Sequence, residues 1–212
     1  AALEWVCGQP GAHRIWSSEA SYPMILSSGH YPLLLDGPYY DWKPAGHNLM
    51  FKALQDELVG SKPLNVTSFL SVKYVVTRSA ALYGSDDFST ERLFGDVYVL
   101  ENRGFRPLFE VLDNTTDVEA NAVGSDVSIR EFSSERMECL VRVTDGSPSG
   151  RYYLTVKEGF FPGWQARVGG VDRPVLRTKN GLMAVEVPPG ASKVKIAFRG
   201  TKAEIYGQLT SI

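Results

Sequence analysis

Short apolar runs separated by turn residues dominate the second half of the chain. From Asp126 onward, runs rich in Val, Ile, Tyr and Phe recur roughly every eight to twelve residues. In residues 193–198, Val194, Ile196 and Phe198 alternate with polar or small side chains, so one face of the strand is apolar. This pattern predicts an all-β, jelly-roll-like sandwich over residues 126–212.

The first half has a different pattern, with one helical segment. In HNLMFKALQDELVG the apolar residues recur at three-to-four spacing, which predicts a helix over about 48–59 with Asp56 and Glu57 on its solvent side. Strands follow in SFLSVKYVVTRS, DVYVLENR and FRPLFEVLD, with YGSDDFSTER as a polar loop between the first two. We therefore expect a small α+β unit over residues 1–113, then a polar linker over 114–125, NTTDVEANAVGS.

Composition narrows the possible partners. The chain is 43% hydrophobic, enough for a core, and its net charge of -2 is spread over interspersed acids and bases. Such a charge gives no field that would collect nucleic acid. We find no apolar run of about 18 residues and no signal-peptide pattern, and the abrupt start suggests a piece of a longer protein. Cys7 and Cys139 either pair or remain free thiols.

Candidate catalytic and metal-binding residues are few. No phosphate-binding loop, nucleophile elbow or metal-ligand spacing occurs, so we expect no cofactor, no metal and no catalytic residue. His13, His30 and His47 lie near carboxylates in the sequence, but their spacing fixes no geometry. Asp86 and Asp87 could form a carboxylate pair, although Asp in such a loop is usually a turn residue.

Two aromatic stretches are candidate ligand sites. In DGPYYDWKP, a ring surface with acidic neighbours could stack on a sugar or simply pack, and we favour packing; the residues are Asp36, Tyr39, Tyr40, Asp41 and Trp42. In EGFFPGWQARVGG, the turn at Pro162-Gly163 should bring Phe160, Phe161 and Trp164 together in the core. Further on, Asn180-Gly181 predicts a two-residue type I′ turn.

Two passages resemble a known family. LNVTSFLSVKYVVTRS with VYVLENRGFRPLFEV, and KEGFFPGWQARVGGVDRPVLRTKNGLMAVEVPPGASKVKIAF, are similar to segments of YfhO-type bacterial membrane proteins and related archaeal membrane proteins. The motifs shared are Phe161, Pro162, Gly163 and Trp164, the Asn180-Gly181 pair and the VPPG turn. The membrane part of these proteins resembles glycosyltransferases of the GT-C class.

The resemblance implies an extracytoplasmic C-terminal region whose transmembrane portion belongs to the same polypeptide. Its function would be that of a non-catalytic accessory domain, which binds or positions a glycan, a lipid-linked oligosaccharide or another acceptor. The alternatives are a purely structural or protein-interaction module and, less favoured, an autonomous glycoside hydrolase using loop carboxylates.

Overall fold

The structure, a computed structural model, describes residues 1–10, 13–17, 56–58, 65–83, 85–116, 120–133, 135–144 and 150–199. These residues are mostly β, with thirteen strands in three sheets and three short helices. The chain divides into two compact units, Ala1–Leu108 and Phe109–Ile212.

The first unit contains a four-stranded mixed sheet. Its elements are α1 (Ala2–Cys7), β1 (Arg14–Ser17), α2 (Asn65–Phe69), β2 (Val72–Thr77), α3 (Ala80–Tyr83), β3 (Phe88–Phe94) and β4 (Val97–Asn102). The strand order is β1-β2-β4-β3, with β1 parallel to β2 and the other pairs antiparallel. A core cluster joins α1 to one face of this sheet through Val6, Ile15, Tyr74, Val76 and Val99.

Two expectations for this unit are wrong. The segment predicted as a polar loop contains most of β3, an edge strand whose central residues, Thr90 to Leu93, are all exposed. An edge strand that is exposed to solvent on both faces has no apolar alternation by which the sequence would identify it. Glu57, expected on a solvent-facing side, is buried. Of the predicted helix only residues 56–58 are described, and they are helical; the α+β class stays a prediction.

Glu57 is buried because its carboxylate accepts hydrogen bonds at the start of α2. Oε1 accepts from the Val66 backbone at 2.8 Å, and Oε2 accepts from the backbone and the hydroxyl of Thr67 at 2.8 and 2.7 Å. These N–H groups have no partner inside the helix. The carboxylate therefore caps α2 from a position that is 9 residues before Val66 in the chain.

The other end of α2 turns sharply into β2. Ser71, fully buried, has φ 65°, the one positive value among the described non-glycine residues. Its N–H donates to the Ser68 carbonyl at 3.1 Å, and its own carbonyl accepts from the Arg14 N–H at 2.8 Å. Among the residues that the structure describes, none forms a hydrogen bond with its hydroxyl. Serine thus occupies a left-handed position that glycine usually fills.

A buried amide holds this corner against β4. The Asn102 side chain donates to the Ser68 hydroxyl at 3.1 Å and to the Val72 carbonyl at 3.0 Å, and it accepts from the Gly104 N–H at 2.9 Å. A Cβ on Gly104 would lie 2.8 Å from the Ser68 Oγ. Glycine is therefore needed here because the backbone passes so close to that side chain.

The second unit consists of two antiparallel sheets. Its strands are β5 (Phe109–Leu112), β6 (Ser125–Phe132), β7 (Arg136–Val143), β8 (Tyr152–Gly159), β9 (Trp164–Val168), β10 (Val171–Arg173), β11 (Val175–Arg177), β12 (Leu182–Val187) and β13 (Gly190–Phe198). One sheet has the order β10-β9-β13-β7-β6 and the other β11-β12-β8-β5.

The apolar faces of these sheets form a core that is consistent with the predicted β-sandwich. On β7 every second residue from Met137 to Val143 is buried, and on β13 Val194 and Ile196 are buried on either side of the exposed Lys195. The rings of Phe109 on β5 and Phe132 on β6 meet edge to face at 5.7 Å, which joins the two sheets. The alternation read from the sequence is confirmed on these strands.

The sandwich begins earlier than expected. Phe109–Leu112, which we had placed in the first unit, pairs with β8 as an edge strand of the four-stranded sheet. The segment after it, predicted as a linker, turns back on β5: Val123 N–H donates to the Val111 carbonyl at 2.9 Å, and Leu112 bridges to Ala122. The boundary at Leu108 therefore differs from the one predicted after residue 113.

The central part of the sheet β11-β12-β8-β5 is buried on both faces. Thr155 and Lys157 of β8 are fully buried on the face opposite to Leu154 and Val156, which are equally buried. The ammonium of Lys157 lies 3.1 Å from the carboxylate of Glu110 on β5. A charge at such depth requires an opposite charge close by, and this pair ties the edge strand to its neighbour.

Candidate functional site

The predicted aromatic ligand site, with Asp36, Tyr39, Tyr40, Asp41 and Trp42, lies outside the described residues, as do His30 and His47. His13 is described and buried, and its ring meets the Tyr74 ring edge to face at 5.2 Å. Among the residues that the structure describes, no group of three or more His, Cys, Asp or Glu side chains could hold a metal ion.

Both cysteines are free thiols. Burial raises the pKa of the Cys139 thiol to about 12, so the reactive thiolate is suppressed at neutral pH. The pair Asp86-Asp87 lies in the turn before β3. There the Asp87 carboxylate accepts from the Ser85 hydroxyl at 3.1 Å, which is the turn role that we considered.

The Pro-Gly-Trp corner is placed differently from the prediction. Phe161 is 49% exposed, so it does not fill the core as expected. Trp164 is half-buried and meets the Phe198 ring edge to face at 5.4 Å. It stands across from Phe198 in the strand register, at the end of β9 and β13. The packing role therefore holds for Trp164 only in part, because some of its surface stays accessible.

The turn at Asn180-Gly181 also differs. Gly181 has φ 85°, but Asn180 does not have a positive φ. Thr178 N–H donates to the Leu182 carbonyl at 2.9 Å, which gives a three-residue hairpin loop closed by a left-handed glycine. Two consecutive positive φ angles occur instead at Gly169 and Gly170, between the paired residues of β9 and β10.

The outer face of the five-stranded sheet is polar and exposed. Each strand places its apolar residues in the core, so the intervening positions share the opposite side. We call this side the charged face, and its residues are Asp126, Ser128, Arg130, Glu131, Arg136, Glu138, Leu140, Arg142, Gln165, Arg167, Asp172, Lys193, Lys195 and Ala197.

One row of this face crosses all five strands. The register sets side by side Glu131, Glu138, Lys195, Arg167 and Asp172. The two neighbouring glutamates would repel each other without counterions. Lys193 and Lys195 lie 2.6 and 3.2 Å from the Glu138 carboxylate, while Arg136 lies 3.9 Å from that of Glu131.

These contacts have an electrostatic consequence for Glu138. The hydrogen bond from Lys193 is the main cause that lowers the pKa of the Glu138 carboxyl, and the one from Lys195 acts in the same direction. At the far end of the row, Arg167 pairs with Asp172 at 2.8 Å. The row is thus a chain of ion pairs that keeps long side chains spread over the sheet.

A groove of about 890 Å³ lies along this row and reaches Trp164. Its walls include the side chains at one end of the charged face, among them Glu138, Gln165, Arg167, Asp172 and Lys195. Hydrogen-bond donors and acceptors therefore converge on one concavity, whereas strand alternation puts the Trp164 indole on the core side with Ala166 and Val168. The register that gathers them joins segments far apart in sequence.

A second groove, of about 480 Å³, lies on the same face toward the other end of β6, β7 and β13. It is lined by Ser128, Arg130, Leu140, Arg142 and Lys193, among others. Leu140 is 41% exposed there, although it is a large apolar side chain. In the sequence, the residues of both grooves are marked by the polar positions that alternate with apolar positions along each strand.

Comparison with known proteins gives no relative. No family model, no curated protein and no solved structure matches this chain. In the described part of the chain, every helix is too short, or too polar, to cross a lipid bilayer.

Proposed function

We propose that this chain is the non-catalytic, extracytoplasmic part of a YfhO-type membrane protein, and that it binds or positions a glycan or another acceptor on the charged face. The observation that carries the proposal is the groove beside Trp164, where polar side chains from several strands converge. In this proposal the transmembrane portion belongs to the same polypeptide, and the fold is an α+β unit followed by a jelly-roll-like sandwich.

The composition of the groove favours a sugar chain as ligand. A carbohydrate offers hydroxyls that both donate and accept, and Gln165, Arg167 and Asp172 supply the complementary groups. The volume of about 890 Å³ is within the range of ligand sites, roughly 300–1,000 Å³.

A rigid sheet suits a binding role of this kind. The groove residues sit on paired strands, and the ion pairs at 2.8 and 3.2 Å restrict Arg167 and Lys195 before any ligand arrives. Less side-chain entropy is then lost when a ligand binds.

A protein-interaction module is the second candidate, favoured by an exposed apolar patch in the first unit. Tyr83 is 48% exposed and stacks on the Tyr98 ring at 4.6 Å, and Leu93, directly opposite Tyr98 in the register, is 57% exposed. Exposed aromatic and aliphatic side chains that cluster are typical of protein contacts.

The test is a titration of ¹⁵N-labelled protein with neutral and acidic oligosaccharides, followed by NMR. We expect shifts concentrated on β9 and β13, and weaker binding by Arg167→Gln. Arg177→Gln is the matched control, because Arg177 is an exposed sandwich arginine outside both grooves. If no sugar changes the chemical shifts, the result would favour the interaction module. Chemical-shift changes at Tyr83 and Leu93 when a protein partner is added would favour it as well.

A further inference from the structure

We propose, on the basis of the function above, that the ligand is an extended acidic glycan and that Arg130 and Arg142 in the second groove bind its anionic groups. The two grooves lie on one face, and β7 and β13, which line both of them, pair without a register shift. The acidic groups in question are carboxylates or sulfates carried on successive sugars.

The first argument is the charge of the face. It carries six basic side chains (Arg130, Arg136, Arg142, Arg167, Lys193 and Lys195) and four acidic ones (Asp126, Glu131, Glu138 and Asp172). The face thus has an excess of two positive charges, whereas the whole chain has a net charge of -2. A local excess of one sign raises the concentration and association rate of a ligand with the opposite charge.

The second argument is that some basic side chains of the face contact a carboxylate and others do not. Arg136, Arg167, Lys193 and Lys195 each contact a carboxylate of the charged face. Arg130 and Arg142 contact none in the part of the chain that the structure describes. Their guanidinium groups keep the planar fork of donors that matches a carboxylate or a sulfate.

The third argument is a bulge that adds Arg130 to the face. The register of β6 shifts between Ile129 and Glu131, so Arg130 is an extra residue with no partner on β7. Arg130 and Glu131 are consequently both exposed, where strict alternation would hide one of them. Bulges often redirect a side chain beside a functional site.

The fourth argument is the set of other residues that line the second groove. Ser128 provides a hydroxyl, and the exposed Leu140 lies directly across from Ser128. Strand spacing and rise place Arg142 about 16 Å from Arg167 between Cα atoms. A ligand that reaches both grooves must therefore be a chain of several sugars.

The test compares short oligogalacturonate with its neutral methyl ester by calorimetry. We expect the acidic form to bind about tenfold more tightly at low salt, with the preference shrinking as ionic strength rises from about 0.05 to about 0.5 M. The double variant Arg130→Gln/Arg142→Gln should lose most of this preference and keep its affinity for the neutral ester. Arg177→Gln should change neither affinity, and circular dichroism verifies the fold of each variant.

Each contrary result has its own meaning. Equal binding of the acidic and neutral oligomers overturns the inference and leaves the proposed function intact, as does an acidic preference that survives in the double variant. A sulfated oligomer of equal length tells sulfate from carboxylate recognition. Single-stranded DNA that binds as tightly as either acidic glycan shows a general polyanion site and overturns the ligand class. Absence of binding by every oligomer overturns both proposals.

Discussion

Replacement of Ser71 by glycine should stabilise the first unit. The wild-type residue combines two unfavourable features: a left-handed φ of 65°, and a fully buried hydroxyl that has no hydrogen-bond partner in the described part of the chain. Glycine removes both, whereas alanine removes only the hydroxyl. The backbone hydrogen bonds to Ser68 and Arg14 involve no side-chain atom of Ser71 and should persist in each variant.

The expected magnitudes follow from these features. A buried polar group without a partner costs about 1–3 kcal/mol, so Ser71→Ala, which also loses some packing, should stabilise by about 1 kcal/mol. The left-handed conformation costs a non-glycine residue about 1–2 kcal/mol. Glycine reduces this gain in stability by about 0.4–1 kcal/mol, because it has more conformational freedom in the unfolded chain. Ser71→Gly should therefore be more stable than Ser71→Ala by about 0.8 kcal/mol, the middle of a range that extends to about 1.6 kcal/mol.

Urea unfolding followed by tryptophan fluorescence measures these differences. In a Trp164→Phe background the remaining tryptophans all belong to the first unit, so the signal reports that unit. Ser89→Gly on the exposed β3 is the matched control and should destabilise by about 0.5–1 kcal/mol. If Ser71→Gly is no more stable than Ser71→Ala, the strain argument fails; if both are less stable than wild type, the hydroxyl has a partner in solution.

Three further predictions concern other sites. Gly104→Ala should destabilise the first unit by about 1–3 kcal/mol in urea unfolding, and the cost should largely disappear when Ser68→Ala removes the oxygen that the new Cβ would meet. Trp164→Ala should cost about 2 kcal/mol in thermal unfolding, below the 3–5 kcal/mol of a fully buried ring, because the indole is only half-buried; a cost above about 4 kcal/mol would show that it is enclosed in solution. With the other cysteine replaced by serine, Cys139 should react with a thiol reagent at neutral pH only when the sandwich opens, so added urea should speed the reaction, and rapid labelling of the native protein would refute this.

Local patterns predicted most strands of the sandwich, because each one alternates between core and solvent. Residues 193–198, for example, show the alternation that the structure confirms on β13. The same logic missed β3, whose central residues are all exposed, and β10, which has three exposed residues. An edge strand need not bury a face, so its sequence is hard to distinguish from that of a loop.

Contacts between different elements explain the other differences. Glu57 was predicted on a polar helix face, but its carboxylate meets backbone groups of α2. The charged row from Glu131 to Asp172 exists only because the register of five strands places these residues side by side. No spacing along the chain encodes that register, so the grooves could not be located from the sequence.

The position of β5 determines where a stable fragment of this protein can begin. A chain that starts at residue 114, after the boundary suggested by composition, would lack the strand that pairs with β8 from Tyr153 to Val156. The open backbone of β8 would become a template for β-strands of other molecules, and Lys157 would lose the carboxylate that it contacts at 3.1 Å. Such a fragment should aggregate, and a synthetic peptide that begins at Phe109 should rescue it by strand complementation.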